Sequence, residues 1–510
     1  MFGLNKWWFL AGGLLVLVII GLGAVIVGSS ELTPAESTDP AVVLDRRVRD
    51  LCASCHAFPP PDSFPKADWK REVEQGYEFA VRAGREPRTM PPFEDTLAYF
   101  EARAPDRLPA PAIHHATTPC PVHFDPLRDK GEPQAFGISN VSLVRLWGRP
   151  GPLVLACDMQ QNVVQVLRLD GSPLKWEVLA SAPHPAHAEV VDLDKDGVPD
   201  ILVACLGSRT PTDERCGSVL WLRGDRSGKF TPIPLLSGVG RVADVRAADF
   251  DGDGDLDLVV AAFGWREIGS ILLLENQTTD WDHPKFVPRV LDERHGAIHV
   301  PVADLNGDGK PDFVALISQE HETVVAFLNE GGGRFRQETI WTAPHPAYGS
   351  SGIELVDLDG DGDLDVLYTN GDAIDNLLIR PEHGVRWLEN RGAFPFVQHE
   401  LAAMPGVHRA VAADFDGDGD LDILAVSFLP RTQIPEQSEL DSIILLEQVR
   451  PGEFVRHTVE RGNSSHVTCV AGDLFGDGRI GFVTGTFTWN DRAPDSVTLW
   501  RNRGPTKTGR

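Results

Sequence analysis

Positively charged residues are scarce in this sequence. Its 510 residues include 47 Lys and Arg against 74 Asp and Glu, which gives a formal net charge of −27. A protein with this balance repels a phosphate backbone, so the composition argues against nucleic acid as a partner. An apolar fraction of 42% excludes a wholly disordered chain, and the length allows two or three domains.

Several catalytic motifs are also missing. The sequence contains no nucleophile elbow, no phosphate-binding loop and no dinucleotide fingerprint. Cysteine and methionine are rare, with 7 and 4 copies, so the position of each can be interpreted individually.

Aspartate, by contrast, recurs in a fixed pattern. Residues 249–257 read Asp-Phe-Asp-Gly-Asp-Gly-Asp-Leu-Asp, and an apolar run follows. Carboxylates at positions one, three, five and nine can converge on one cation if the glycine at position six allows a tight curl. Ca²⁺ prefers about six to eight oxygen ligands and fits best. The recurring pattern therefore predicts about five Ca²⁺ sites, with these side-chain ligands: Asp192, Asp194, Asp196, Asp200, Asp249, Asp251, Asp253, Asp257, Asp304, Asn306, Asp308, Asp312, Asp357, Asp359, Asp361, Asp365, Asp414, Asp416, Asp418 and Asp422.

These loops differ from EF-hands. An EF-hand places a glutamate at position twelve, where the copies here have Val203, Val260, Ala315, Tyr368 and Ala425. A β-rich apolar run follows each loop, which predicts a calcium loop between two strands. A sixth copy, beginning at residue 473, has phenylalanine and glycine in place of the third and ninth ligands, so we expect it to be empty.

The loops also mark a repeat. Their first ligands are spaced by 57, 55, 53 and 57 residues. Seven equivalent third strands and six fourth strands accompany them, which predicts a mainly β fold, a seven-bladed β-propeller over residues 121–505. The missing fourth strand of the last blade is expected from a segment near Val122-His123-Phe124, which would close the ring.

The motif D-x-D-G-D-G-x-x-D followed by an apolar strand resembles the FG-GAP/VCBS-type repeats of calcium-binding β-propellers. Ala-Phe-Gly at 262–264 and Ser-Phe at 427–428 stand where such repeats have Phe-Gly. The resemblance covers about three quarters of the chain. It implies a propeller used in adhesion, in carbohydrate-active enzymes or as a scaffold, so it indicates fold better than function.

The first 30 residues predict a membrane anchor. Trp7 to Val27 is a run of 21 residues without charge, long enough to cross a bilayer. Lys6 precedes it and Glu31 follows it, which places the N-terminus in the cytoplasm and the remainder on the periplasmic side of a bacterial membrane, as a single-pass protein. The alternative is a cleaved signal peptide.

A Cys-x-x-Cys-His signature follows a Ser/Thr/Glu/Pro-rich linker at 31–42 and predicts covalent attachment of one haem c, with Cys52 and Cys55 as thioether partners and His56 as the proximal iron ligand. Alternatives for the cysteine pair are a disulfide or half of a zinc site. Residues 43–105 resemble a small class I cytochrome c, with a helix before the signature and another after it at 95–102. The resemblance implies Met90 as the sixth ligand; the alternative is an ordinary core methionine. A second linker spans 106–120.

Four histidines precede first ligands of the aspartate loops: His187, His299, His408 and His466. We expect them at the starts of innermost strands, on the face opposite the calcium loops. They are candidate catalytic residues that could hold a transition metal or a second redox centre. The alternative is that they hydrogen-bond strand ends and water. Cys205 and Cys216 flank one hairpin and could form a disulfide.

Three functions are compatible with these features. The first is a membrane-anchored electron-transfer protein in which the propeller docks a redox protein partner or carries the substrate-side site. The second is a propeller oxidoreductase with a metal or organic cofactor on the histidine-rich face, reoxidised through haem. The third is a glycan- or protein-binding propeller.

Overall fold

The computed structural model of the protein describes residues 39–128, 132–148, 151–169, 174–374, 376–430, 435–488 and 492–506. The predicted anchor at 1–30 lies outside these residues. Among the helices of the described ranges, none has the length and apolar character needed to cross a membrane.

A small helical domain precedes the propeller. It contains three α-helices and two short 3₁₀ helices within the described ranges: α1 (Pro40–Cys52), 3₁₀ turns at Pro61–Ser63 and Lys66–Asp68, α2 (Trp69–Arg82) and α3 (Phe93–Glu101). The sequence predicted parts of α1 and α3 but not α2. At the start of α1, the Asp39 carboxylate accepts a hydrogen bond from Ala41 N at 2.9 Å, and Pro40 supplies a preset φ.

The core of the helical domain is aromatic. The Trp69 ring of α2 stacks on Phe100 of α3 with centroids 3.9 Å apart, and Phe64 meets Trp69 edge-on at 5.4 Å. The Tyr99 hydroxyl donates to Asp45 of α1 at 2.6 Å. These contacts join all three helices around the end of α1, where the Cys-x-x-Cys-His signature begins.

The remaining elements are 29 strands and one further 3₁₀ helix (Pro435–Glu439). In chain order the strands are β1 (Val122–Arg128), β2 (Ile138–Val144), β3 (Leu153–Asp158), β4 (Val163–Arg168), β5 (Lys175–Ser181), β6 (Pro185–Val191), β7 (Asp200–Cys205), β8 (Gly217–Gly224), β9 (Phe230–Val239), β10 (Val242–Ala248), β11 (Asp257–Ala262), β12 (Ser270–Asn276), β13 (Phe286–Asp292), β14 (Ala297–His299), β15 (Val302–Ala303), β16 (Asp312–Ile317), β17 (Thr323–Gly331), β18 (Arg334–Thr342), β19 (Ser350–Val356), β20 (Asp365–Asn370), β21 (Gly384–Glu389), β22 (Val397–Ala403), β23 (Val407–Ala413), β24 (Asp422–Ser427), β25 (Asp441–Arg450), β26 (Glu453–Arg461), β27 (His466–Gly472), β28 (Gly481–Thr486) and β29 (Val497–Pro505).

These strands form seven antiparallel sheets within the described residues, which confirms the predicted seven-bladed β-propeller. Numbered along the chain, blades 1 to 6 contain β2–β5, β6–β9, β10–β13, β14–β18, β19–β22 and β23–β26. In blade 4 the innermost strand is interrupted, so that β14 and β15 both pair with β16. Blade 7 combines β27, β28 and β29 with β1.

The ring closes by joining the two ends of the propeller. Strand β1 pairs antiparallel with β29, with Phe124 opposite Asn502. This confirms the prediction that a segment near residues 122–124 supplies the last strand. Closure of this kind removes an exposed sheet edge.

Burial in the propeller follows strand order. The second strand of each blade is buried at every residue, because both of its faces pack against neighbouring blades. One apolar cluster fills each gap between adjacent blades, including the gap between blades 7 and 1. Each aspartate loop connects the first and second strands of a blade, so all of these loops lie on one face and the loops between second and third strands lie on the other.

The closing strand provides a test of the fold. Phe124 is buried, with its ring 5.1 Å from Phe482 and 6.0 Å from Phe415. We expect Phe124→Ala to destabilise the propeller by about 3–5 kcal/mol, because the large apolar side chain leaves a cavity at the seam. Urea unfolding followed by circular dichroism would measure the loss. The matched control is Leu127→Ala on the same strand, where the side chain is 37% exposed; an equal loss in both variants would contradict the assignment of the seam.

Candidate functional site

A cavity of about 920 Å³ lies between the helical domain and the propeller. We call it the interdomain cavity. Its helical wall includes Cys52, Cys55 and His56, and its propeller wall comes from the loops of blades 3 to 5 on the face opposite the aspartate loops. The Cys-x-x-Cys-His signature of the helical domain therefore faces the propeller.

Specific contacts hold the helical domain on this face. Arg82 of α2 forms an ion pair with Glu267 of blade 3, and Arg266 lies over the Phe79 ring at 5.5 Å. On the blade 5 side, Arg380 donates to the Ser63 carbonyl, and its guanidinium lies 4.7 Å from the centroid of the Phe64 ring. Arg380 is buried, so its hydrogen bond and its stacking contact both act away from water.

The thiols and the imidazole of the Cys-x-x-Cys-His signature are available in the structure. Cys52 ends α1, and neither Cys52 nor Cys55 is in a disulfide. Nδ1 of His56 lies 2.7 Å from the Ala57 carbonyl. Because a carbonyl can only accept, Nδ1 is the protonated nitrogen in this contact and Nε2 is free to bind a metal.

The cavity walls also suit a haem. Apolar side chains from the helical domain line it, including Leu51, Trp69, Val73 and Phe100. Guanidinium groups line its polar parts and are suitable partners for the carboxylates of a haem: Arg71, Arg82, Arg85, Arg266 and Arg380. The donor set and the walls fit covalently bound haem c.

Met90 lies in a different environment from the one expected of a sixth ligand. Its side chain is buried and packs against Leu51 and Ala80, and its carbonyl accepts from Arg47 at 2.9 Å. The described residues that line the interdomain cavity do not include Met90. Its role as an iron ligand therefore stays a prediction.

The propeller wall contains three side chains that the sequence analysis did not identify as ligands: His295, Glu320 and His321. His295 follows β13, and the other two lie in the loop between β16 and β17. Burial lowers the pKa of His321 to about 4, with Glu320 opposing and His295 adding to the shift. The adjacent Glu-His pair was visible in the sequence, but His295, 25 residues earlier, could be linked to it only by the fold.

The aspartate loops have the curled geometry predicted for them. Gly254, at position six, has φ of +98°, in the left-handed region that favours glycine. The Asp249 carboxylate accepts from Gly252 N at 2.8 Å and from Gly254 N at 3.1 Å. In four loops, three carboxylates bring ligand atoms within 4.8 Å of one another: Asp192, Asp194 and Asp200; Asp249, Asp251 and Asp257; Asp357, Asp359 and Asp361; Asp414, Asp416 and Asp422.

The ninth-position aspartate has a second role that the sequence analysis missed. Asp257 is buried and accepts backbone hydrogen bonds from Phe250 N at 3.2 Å and from Asn276 N, at the end of β12, at 2.8 Å. Burial raises its pKa to about 6, and nearby carboxylates add to the shift. The same pair of backbone bonds recurs at Asp200, Asp312, Asp365 and Asp422. This aspartate therefore ties each loop to its third strand.

An arginine side chain from β29 lies beside the sixth loop. Arg501 lies 3.1 Å from Asp477, and its guanidinium covers the Phe475 ring, which replaces the third ligand, at 4.5 Å. The guanidinium thus lies beside one of the remaining carboxylates, and the expectation that this loop is empty of Ca²⁺ stays a prediction.

The four predicted histidines do not form one cluster. His187 Nδ1 lies 2.9 Å from Asp244, and His299 lies 3.9 Å from the other oxygen of that carboxylate. Burial alone would raise the pKa of Asp244, but Arg246 and His187 pull it well below its ordinary value. His408 is half-buried near His299, and its ring meets Phe428 at 5.9 Å.

His466 contacts a different carboxylate, that of Glu460, at 2.8 Å. The structure thus brings His187 and His299 together on one carboxylate, and a catalytic role for any of the four remains a prediction. The possible disulfide between Cys205 and Cys216 is wrong: both are free, with Cys205 buried in β7.

The fold and its aspartate loops define the class of the protein, a seven-bladed β-propeller with FG-GAP-like repeats. The family model described as FG-GAP-like repeat matches residues 192–260, 296–368 and 369–425. No curated protein matches the sequence.

Two of the solved structures that are similar to this chain cover about three quarters of it. The BBS1N chain of the complex with ARL6DN is 12% identical, with 78% of this chain and 99% of that chain covered and a TM-score of 0.43. Virginiamycin B lyase from Staphylococcus aureus is 11% identical, with 74% of this chain and 98% of that chain covered and a TM-score of 0.42. Neither likeness carries a functional conclusion.

A buried histidine beside the cavity predicts a pH dependence. His383 accepts a hydrogen bond from Gly406 N at 3.3 Å, and burial lowers its pKa to about 3, with Arg380, Arg386 and His408 adding to the shift against Glu382. Since this lies below the ordinary value of about 6.5, the unfolded chain takes up the proton first as the pH falls. Neutral His383 makes its full contribution to the free energy of unfolding above about pH 6.5. This contribution falls progressively at lower pH, and the free energy of unfolding is lower by about 2–3 kcal/mol at pH 4.5.

We expect His383→Gln, which keeps an acceptor for Gly406 N, to show a shallower loss of stability between pH 6.5 and 4.5 than the unmodified protein. Urea titrations at several pH values would measure the slope. His123→Gln is the control, because His123 is exposed. Identical slopes in the His383 variant and the unmodified protein would contradict the prediction.

Proposed function

We propose that this protein is a membrane-anchored, exported electron-transfer protein of the c-type cytochrome kind, with a calcium-stabilised propeller as its docking or substrate-side module. The observation that carries the proposal is the Cys-x-x-Cys-His signature at the end of α1, with free thiols and an available imidazole nitrogen on the wall of the interdomain cavity. A haem bound there supplies one-electron chemistry.

The residues of this chain have separate tasks in that function. Cys52 and Cys55 would hold the haem covalently, and His56 would bind the iron with its orientation set by the Ala57 carbonyl. The apolar helical wall would exclude water from the group. The arginines of the cavity would pair with its carboxylates.

The propeller would control access to this centre. Blades 3 to 5 cover the cavity, and the Arg82–Glu267 and Arg380–Ser63 contacts hold the two domains together. A redox protein partner or a small substrate would therefore meet propeller side chains on its way to the haem. Export across a bacterial membrane with the N-terminal segment as a single-pass anchor would place both domains in the periplasm, where c-type haem is attached.

Covalent haem is the first test. Full-length protein produced in a host that matures c-type cytochromes should stain for covalent haem after denaturing electrophoresis and show a sharp reduced α-band. The double variant Cys52→Ala/Cys55→Ala should lose both signals, because no thioether can form. Cys216→Ala, also a free cysteine, should keep them. An unmodified protein without covalent haem would overturn the proposal, and capture of a glycan or protein by that protein would favour a binding propeller.

Calcium is the second test. We expect EGTA to lower the melting temperature, because an ion that binds only the folded state stabilises it by mass action. Asp249→Asn, which weakens a ligand at position one, should reduce bound Ca²⁺ by about one ion per protein. Asp255→Asn in the same loop is the control, because position seven is expected to contribute its backbone carbonyl. Elemental analysis and differential scanning calorimetry would provide the measurements; an unchanged transition in EGTA would contradict occupancy.

A further inference from the structure

We propose that His295, Glu320 and His321 bind one divalent transition-metal ion at the propeller wall of the interdomain cavity. One ligand atom from each side chain lies within 4.8 Å of the other two, a separation that a single ion can bridge. The remaining groups of this kind in the described residues consist of aspartates from the repeat loops. The proposed site is therefore chemically different from the calcium sites.

Backbone contacts position the three side chains. Ser318 N donates to the Gly296 carbonyl at 2.8 Å, which joins the segment after His295 to the loop that carries Glu320 and His321. On the other side of that loop, the buried Glu322 carboxylate accepts from Ser350 N at 2.9 Å. The loop is thus fixed at both ends, between blades 3 and 5.

The loop is also strained on either side of the two ligands. Gln319 and Glu322 have φ of +55° and +42°, in the left-handed region that side chains other than glycine rarely adopt. Such conformations persist where the surrounding contacts enforce them. They present Glu320 and His321 toward His295.

Each of the two imidazoles has a buried ring nitrogen that is available to a metal ion. The rings of His295 and His321 lie 4.9 Å apart, and Nε2 of each is buried without a hydrogen-bond partner in the described part of the chain. His295 Nε2 is 2.9 Å from Glu320 Oε1, but this contact falls outside hydrogen-bond geometry. Buried polar atoms without partners are costly. A bound metal ion would satisfy both nitrogens and the carboxylate together.

The donor set indicates the class of ion. Two imidazoles and one carboxylate suit iron or zinc, whereas all-oxygen loops suit Ca²⁺. Three protein ligands leave coordination positions open for water or a small ligand. His295 and His321 line both the interdomain cavity and a shallow depression of about 490 Å³ beside it, so an open position has access from outside the cavity. The metal site needs only propeller residues, while its relevance to electron transfer rests on the proposed function.

Zn²⁺ binding to full-length protein tests the site directly. The protein is treated with a transition-metal chelator, saturated with Ca²⁺ and titrated with Zn²⁺ in a calorimeter. We expect one tight Zn²⁺ equivalent in the unmodified protein. Since loss of a supporting contact alone typically costs 10–100-fold in metal affinity, loss of a ligand in His295→Ala or His321→Ala should weaken binding by at least about 100-fold, and Glu320→Gln by at least about tenfold.

His345→Ala is the matched control. His345 lies on the same face and contacts Glu382 at 3.0 Å, but the described residues place no third ligand with this pair. It should bind Zn²⁺ as the unmodified protein does. The melting temperature of each variant in Ca²⁺ shows whether that variant folds. If an alanine variant does not fold, Glu320→Gln still tests the site.

Two results would overturn the proposal. One is that the unmodified protein binds no Zn²⁺, or that the His295 and His321 variants bind Zn²⁺ as tightly as the unmodified protein does. The other is a changed haem absorption spectrum in His321→Ala without loss of Zn²⁺ binding, which would make this imidazole an iron ligand. The titration is repeated in Cys52→Ala/Cys55→Ala, where a retained Zn²⁺ equivalent supports the site even if the haem proposal fails.

Discussion

The propeller depends on one buried carboxylate that recurs in five blades. In each of them, the aspartate at loop position nine accepts one hydrogen bond from the backbone of its own loop and another from the end of the third strand. A buried carboxylate is stable only when its oxygens are paired. The loop, the second strand and the third strand are therefore fixed by the same side chain, and proposed calcium binding would add to that constraint.

Blade 7 shows how the fold copes without this group. Its loop has glycine at position nine, and Arg501 instead lies beside Asp477. The blade obtains its fourth strand from β1, far away in sequence, and aromatic packing at Phe124, Phe415 and Phe482 joins the seam. In blade 7, tertiary packing takes the place of the buried aspartate that blades 2 to 6 use.

The arrangement of the two domains gives the faces of the propeller different roles. Aspartate loops occupy one face, and the helical domain covers part of the other. The interdomain cavity brings the Cys-x-x-Cys-His signature together with loops from three blades, in a partly open space lined by both apolar and charged side chains. Such mixed cavities are the usual form of cofactor and ligand sites. Contacts with carboxylates explain three of the four predicted histidines: His187 and His299 contact Asp244, and His466 contacts Glu460.

The sequence by itself determined the repeat, the number of blades, the strand that closes the ring and the face that carries the aspartate loops. These features follow from local spacing, because the loop motif and the alternation of apolar strands recur at a fixed period. Only the tertiary structure decided that α2 exists as a helix, that Met90 packs beside Leu51, and that His187 and His299 share one carboxylate. The tertiary structure also decided that the helical domain docks on the propeller through Arg82 and Arg380, and that His295 lies beside His321. Each of these joins residues that are distant in the chain, and no periodic pattern encodes a contact made by side-chain packing and buried charge between separate elements.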